Sequence, residues 1–338
     1  MRRERPTTMM DIARTAGVTD ATVSNVLNGK GRVSPAVRER VLQIAREMRY
    51  SSNVFARGLK TRRSNMIGVL TSALSSHVTT GQIAGVDNLA QRRGYGLLIA
   101  CGNEHDPPRM EAFAGRGVDG VIWLPSGANL PAGLHDILHA SGLPYTYSYR
   151  APDDDPAASG AMVDQIAGGE IAARRLLSTG RTKLAFAAPA SNRVVYRERL
   201  EGFANVVASA GLTLPCDYVL TGNSTLTEDI NALAERIVNL RPLPEGIFAC
   251  WDYVAMTVLR LCRNRGIRVP EDMAVIGFDD LRVCEMTEPP LTSIVMPLAE
   301  CGRTAATKLI DFLECGETDS PEPGVDIYRP SLVERESV

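Results

Sequence analysis

Between Gly17 and Ser34 the chain reads GVTDATVSNVLNGKGRVS, a stretch whose short polar side chains suit contact with base edges and phosphates. If Val23, Val26 and Leu27 turn inward on a helix, the opposite face presents Asp20, Ala21, Thr22, Ser24, Asn25 and Asn28. Asn can pair bidentately with adenine, Asp can accept from cytosine N4, and Ala can meet a thymine methyl. Thr, Ser and Asn can hold phosphates. Lys30 and Arg32 in the following loop add attraction to a nucleic-acid backbone. Asp20 gains from the helix N-terminus but is repelled by phosphate, so it is expected to select bases and not to add affinity. A three-helix bundle with a polar face is the simpler alternative on spacing alone.

The elements needed to hold this face are written locally. Thr8-Met9-Met10-Asp11 has capping-box spacing, and Ile12, Ala13 and Ala16 follow on one helical face. Gly17 can end that helix with positive φ, and Thr19 can cap the next; Thr8 and Thr19 are counted with the candidate DNA contacts. Ser34 and Pro35 start a third helix carrying Val37, Val41, Ile44, Ala45 and Met48. Two short helices joined through glycine and closed by a third form a helix-turn-helix unit over residues 1–52.

Residues 53–63 follow as a short hinge helix and linker. Asn53 can cap a turn from Val54 to Lys60, but so short a helix is marginal in water, and Gly58 costs about 1 kcal/mol relative to Ala. The segment is expected to order only on a partner. Phe55, Ala56 and Leu59 are apolar beside basic Arg57, Lys60, Arg62 and Arg63, a composition suited to a minor-groove wedge with phosphate anchors.

The charge distribution agrees. Residues 1–63 carry 14 Lys or Arg against 5 Asp or Glu, whereas the remainder carries 23 against 34, so a basic module is joined to an acidic body. The 338 residues predict two or three folded units. No apolar run of about twenty residues and no apolar segment behind MRRERPTTMMD is found, so the expected location is the cytoplasm, without membrane contact. Seven scattered cysteines with no CxxC pair read as buried reduced thiols. His135 and His139 have i, i+4 spacing but neither an intervening base nor a third ligand, so no metal site is expected. Phosphate-binding, dinucleotide-binding and nucleophile-elbow motifs are missing, and no cofactor or catalytic residue is predicted.

From residue 64 onward, strand-like MIGVLT, LLIAC, VDGVIWL, PYTYSY, KLAFAAP, GIFAC and MAVIGF alternate with amphipathic helices ending at Gly94, Gly180 and Gly211. This rhythm predicts α/β lobes with parallel sheets and a ligand cleft between them. APDDDPAASG, residues 151–160, reads as an acidic surface loop near the crossing between lobes.

The motifs DIAxxAGV, ATVSxVLN, VSPxxRxRV, NxxARxLK and IGVL, with RLEGF, RVPEDMAVIGFDD, PPLTSIVMP and RPSLVERES in the body, resemble the LacI/GalR family of bacterial transcription repressors. Ser52 stands where that family usually has Pro, and Gly58 replaces a more helical residue. The resemblance implies a DNA-binding headpiece on a periplasmic-binding-protein-like core over 64–338, with lobe 1 at about 64–160 and 291–317 and lobe 2 at about 161–290 and 318–338. It further implies a homodimer on a palindromic operator, controlled by a carbohydrate-like effector between the lobes. Asp20, Ala21 and Asn25 match base-reading positions, and Leu59 matches the minor-groove leucine. Arg199 and Asp279 match the cleft Arg and Asp, a fork and a carboxylate suited to vicinal hydroxyls. Arg193 and Asp164 match less closely, and Val78, Thr79 and Asn223 complete the candidate effector set. Trp251 stands where the family has a small or amide residue and could stack on a sugar or fill a collapsed pocket. With Arg193 and Arg197 near Arg199, a sugar acid or phosphate is a further effector class. The rival expectation is a sugar-binding protein or sugar-modifying enzyme with a helical appendage, although neither an export signal nor an acid–base pair is found.

Overall fold

A computed structural model describes residues 7–27, 31–48, 50, 63–102, 113, 117–125, 134–152, 155, 157–190, 193–316 and 321–338. These fall into two compact units, Met1–Ser64 and Asn65–Val338.

The first unit holds α1 (Met9–Ala16), α2 (Asp20–Leu27) and α3 (Pro35–Glu47). The capping box is complete: the Asp11 amide donates to Thr8 Oγ1 at 3.3 Å, and the Thr8 amide donates to Asp11 Oδ2 at 2.9 Å. Gly17 ends α1 at φ 63°, a conformation that favours glycine. Thr19 caps α2 by accepting from the Thr22 amide at 3.2 Å. Pro35 starts α3, but the Ser34 side chain makes no capping hydrogen bond. Ile12, Ala13, Ala16, Val23, Val26, Val41 and Ala45 close the core, fixing which face of α2 remains outside.

The second unit contains two six-stranded sheets. The first comprises β1 (Met66–Thr71), β2 (Gly96–Cys101), β3 (Gly120–Leu124), β4 (Tyr145–Tyr147), β5 (Ser159–Val163) and β11 (Gly324–Tyr328), in the order β11-β5-β4-β3-β1-β2. The second comprises β6 (Leu184–Ala188), β7 (Val219–Thr221), β8 (Gly246–Ala249), β9 (Ala274–Phe278), β10 (Thr292–Val295) and β12 (Ser331–Val333), in the order β12-β10-β9-β8-β6-β7. All pairings are parallel except β10 with β12. The connecting helices are α4 (His77–Arg93), α5 (Leu134–Ala140), α6 (Gln165–Ser178), α7 (Val194–Ser209), α8 (Thr227–Val238), α9 (Asp252–Arg265) and α10 (Leu298–Cys315). Fully buried β3, β6, β8 and β9 read as continuous apolar runs because helices cover both faces.

Sheet membership corrects the expected lobe boundaries. β10 belongs to the second sheet although 291–317 was assigned to lobe 1, and β11 belongs to the first although 318–338 was assigned to lobe 2. β5 likewise carries the first lobe to Val163. The chain therefore crosses between sheets after β5, after β10 and after β11. The 151–160 stretch also differs from a surface loop: Ala151, Asp155 and Ala158 are buried, and Asp155 accepts from the Tyr147 hydroxyl at 3.2 Å. Four cysteines are buried as expected, but Cys101, Cys216 and Cys315 are exposed.

Within lobe 2, α6 and α7 meet through glycines. A Cβ on Gly169 would lie 2.0 Å from the Arg199 carbonyl oxygen, and one on Gly202 would lie 1.9 Å from that of Ile166. Gly169→Ala is expected to push α7 outward and destabilise the protein by about 1–3 kcal/mol despite the better helix propensity of Ala. Urea titration measures this, and an unchanged midpoint would mean that α7 can move without loss.

Candidate functional site

On the first unit, Asp20, Ala21 and Asn25 are exposed on α2, and Thr22 and Ser24 are half-buried. Thr8 and Thr19 use their hydroxyls to cap helices, with Thr19 Oγ1 also 2.9 Å from Thr22 Oγ1. A Cβ on Gly31, at φ 77°, would lie 3.1 Å from Asn25 Nδ2, so Gly31 packs closely on the Asn25 side chain. Gly31 escaped the sequence reading, although a glycine two residues before Val33 was its signal. Arg32 is exposed. Asn28, Lys30, Ala56, Arg57, Leu59 and Lys60 lie outside the described residues.

On the second unit, both sheets have a strand-order reversal, where β1 lies between β2 and β3 and β6 lies between β7 and β8. Loops diverge at the carboxyl ends of strands at such points and leave a crevice. A cavity opens there, lined by Ala73, Ser75, Ser76, His77 and Val78 after β1, Tyr149 after β4, and Arg193, Val195, Tyr196 and Arg199 around the start of α7. Thr225, Trp251, Tyr253 and Asp279 complete it from lobe 2.

Of the predicted effector residues, Arg199, Asp279, Trp251, Arg193 and Val78 meet in this cavity. Asp164, Thr79 and Asn223 do not line it. Asp164 instead caps α6, its carboxylate accepting from the Ala167 amide at 2.8 Å, because a residue directly before a helix satisfies that helix first. Thr79 is buried behind the cavity wall, 3.1 Å from Thr71 Oγ1, and Asn223 is exposed in the loop after β7. Arg197 is exposed and does not line the cavity.

Arg199 is only 2% exposed. Its Nε donates to Gln165 Oε1 at 2.8 Å and its Nη1 to the Cys250 carbonyl at 2.7 Å, while the guanidinium lies 3.5 Å over the Phe278 ring centroid. Buried neutral partners and an aromatic face thus hold the cation in place. Asp279 is 8% exposed, with φ 114°, a strained value for a side-chain-bearing residue. Its Oδ2 lies 3.3 Å from Nε2 of His77 across the cleft, within ion-pair range but without hydrogen-bond alignment.

Sequence reasoning missed Tyr149, Tyr196 and His77. Tyr149 has φ 74°, and burial pushes its phenol up to about 12; Tyr196 is pushed upward by the same cause. Both therefore remain neutral hydroxyls at physiological pH, able to donate and accept. Their signal was position, since Tyr149 closes the strand-like PYTYSY and Tyr196 precedes Arg199 on one helical face.

Behind this wall Asp252 joins the start of α9 to the loop after β9. Its carboxylate accepts from Ser293 Oγ at 2.6 Å, the Leu281 amide at 2.8 Å and Cys284 Sγ at 3.2 Å. Burial and the nearby Asp279 charge push its pKa up to about 7, against the pull of these donors. Arg150 and Glu198 also join the lobes, with Arg150 Nη1 2.8 and 3.0 Å from the two carboxylate oxygens. Among the described residues no group of three or more His, Cys, Asp or Glu side chains is placed to hold a metal ion, and no helix is long and apolar enough to cross a membrane.

The arrangement offers two guanidinium groups, one carboxylate and three phenols around a crevice, on a chain that also presents a helix suited to base edges. Comparison with known proteins identifies the combination. Residues 8–53 match the family described as bacterial regulatory proteins, lacI family, and residues 173–338 match a periplasmic binding protein-like domain. The HTH-type transcriptional regulator CelR of Thermobifida fusca is 36% identical over 332 residues, covering 95% of each chain. A structure described as a transcriptional regulator CelR–cellobiose complex is 32% identical, with TM-score 0.71, over 99% of this chain and 100% of that one. The lac repressor dimer bound to operator and the anti-inducer ONPF shares the fold, with TM-score 0.81 and 23% identity over 98% of this chain and 99% of that one. The rival expectation of a sugar-modifying enzyme is set aside: this chain belongs to the lacI family of bacterial regulatory proteins and is a DNA-binding transcriptional regulator.

Proposed function

We propose that the protein is a cytoplasmic repressor that binds a palindromic operator as a homodimer and releases it when a neutral carbohydrate occupies the cleft. Asp20, Ala21 and Asn25 read bases, with Thr8, Thr19, Thr22, Ser24, Asn28, Lys30 and Arg32 serving the phosphate backbone and residues 53–63 the minor groove. The observation that carries the effector assignment is the joint presence of Arg199, Asp279 and Tyr196 from lobe 2 and Tyr149 from lobe 1 in one cavity. A guanidinium and a carboxylate side by side suit hydroxyls that donate and accept, and neutral phenols extend the same chemistry. Asp279 repels an anion, which favours a neutral sugar over the sugar acid or phosphate that Arg193 and Arg199 alone would suggest. The cellobiose bound in the CelR structure supports a carbohydrate.

The test begins with an operator selected from random duplexes by the full-length protein. Thermal shift is then screened against sugars, sugar acids, sugar phosphates and nucleobases, followed by operator titration with each hit. A neutral sugar should raise the melting midpoint and weaken operator binding. A sugar phosphate or nucleobase as the sole stabilising class would overturn the effector assignment, and a hit that tightens operator binding would reverse its sign. On the selected operator, Asn25→Ala is expected to cost about 1–3 kcal/mol and relax preference at one base pair. Equal weakening on random duplex would reduce Asn25 to a backbone contact.

A further inference from the structure

The cavity has two chemically different ends. Its interior is polar, with Tyr149, Tyr196, Arg199 and Asp279 all buried. Its rim on the lobe-2 side is aromatic. Trp251 is half-buried, with one part of its ring packed on the lobe-2 core, and Tyr253 is 48% exposed although it too lines the cavity. The two ring centroids are 4.8 Å apart at an interplanar angle of 59°.

This pair sits where it does for a local reason. Trp251 is the extended N-cap residue of α9 at φ −160°, so it projects from the carboxyl end of β8, and Tyr253 follows in the first turn. Asp252 between them is anchored by Ser293, Leu281 and Cys284 and does not line the cavity, whereas both its neighbours do. A large ring half in water beside a polar crevice is covered most readily by a ligand that itself has an apolar face. The C–H face of a pyranose is such a surface.

We propose that the effector is an oligosaccharide of at least two pyranose units. One ring is read by its hydroxyls at Arg199, Asp279, Tyr149 and Tyr196, and the next lies against the ledge formed by Trp251 and Tyr253. A single ring engaged by the buried groups leaves the exposed part of Tyr253 uncovered, whereas a second unit linked outward covers it. This inference rests on the carbohydrate reading and adds the number of rings and the residues that count them.

Calorimetric titration of the full-length protein with glucose, cellobiose, cellotriose and maltose, and with xylose and xylobiose, tests the proposal. At least one disaccharide is expected to bind about tenfold or more tightly than its own monosaccharide, a difference of about 1.4 kcal/mol. Its binding should also change tryptophan emission, because of the two tryptophans Trp123 is buried in β3 and only Trp251 lines the cavity. The advantage of the disaccharide should shrink to within about twofold in Trp251→Ala and fall severalfold in Tyr253→Ala. The exposed Tyr253 position supplies a variant that does not disturb the core. A monosaccharide binding as tightly as its disaccharide, or an advantage that survives both substitutions, overturns the two-ring assignment while leaving the carbohydrate reading intact. Failure of every sugar in the series to bind overturns both.

Discussion

Removal of residues 1–63 is expected to abolish operator preference, a loss of about a thousandfold or more, while sugar binding stays within about twofold of the intact protein. The physical separation is already visible, because Asn65–Val338 forms a compact unit by itself and contains every residue lining the cavity. The same cut removes 14 of the 37 Lys and Arg residues and leaves a body carrying 23 basic against 34 acidic residues. Such a body is repelled by a polyanion. Anisotropy with the selected operator and calorimetry with the sugar hit give the two halves of the measurement. For the intact protein, the logarithm of the operator association constant should fall steeply with the logarithm of salt concentration, because each Lys or Arg on a phosphate releases counterions. Operator preference retained by the 64–338 fragment would place DNA recognition outside α2.

Arg199→Met is expected to weaken sugar binding by about a hundredfold or more, the scale for losing a charged hydrogen-bonding group from a buried site. It should also lower folding stability by about 1–3 kcal/mol, since Gln165 Oε1 and the Cys250 carbonyl lose their donor in the interior. Met approximates the volume, so the loss reports charge and donors more than a cavity. Arg199→Lys should recover little, because an ammonium cannot lie flat over Phe278 and reach both acceptors in one geometry. Calorimetric titration of the sugar and urea unfolding separate the two effects. Sugar binding within severalfold of wild type in Arg199→Met would remove the guanidinium from ligand recognition and leave it a structural group.

Arg199 also marks how far linear reasoning reaches. Its position and that of Asp279 were legible through motif resemblance, but the face they share with Tyr149 and Tyr196 was not. Tyr149 lies fifty residues upstream of Arg199 in the other lobe, and no periodicity connects them. Asp164 shows the reverse case: a motif match suggested a ligand contact, yet its carboxylate serves the helix that begins one residue later. Local hydrogen bonding takes precedence there because the Ala167 amide is held within reach by the helix itself.

The headpiece depended almost wholly on signals of this short range. The Thr8–Asp11 capping box, Gly17 in the left-handed region, Pro35 at the start of α3 and the inward spacing of Val23 and Val26 each act within one or two helical turns, and all appear in the structure. The alternation of apolar strands and amphipathic helices after residue 64 is likewise local, so the class of the body could be read from periodicity. What only the tertiary structure decided was which sheet received each late strand. β10 and β11 are short segments without a distinctive pattern, and their places follow from pairing with β9 and with β5, the latter more than 150 residues away. Local propensity determines whether a segment extends or coils, but an open sheet edge and the packing of distant helices determine where it docks. Those same long-range choices make the three crossings and bring residues of both lobes together around the cleft.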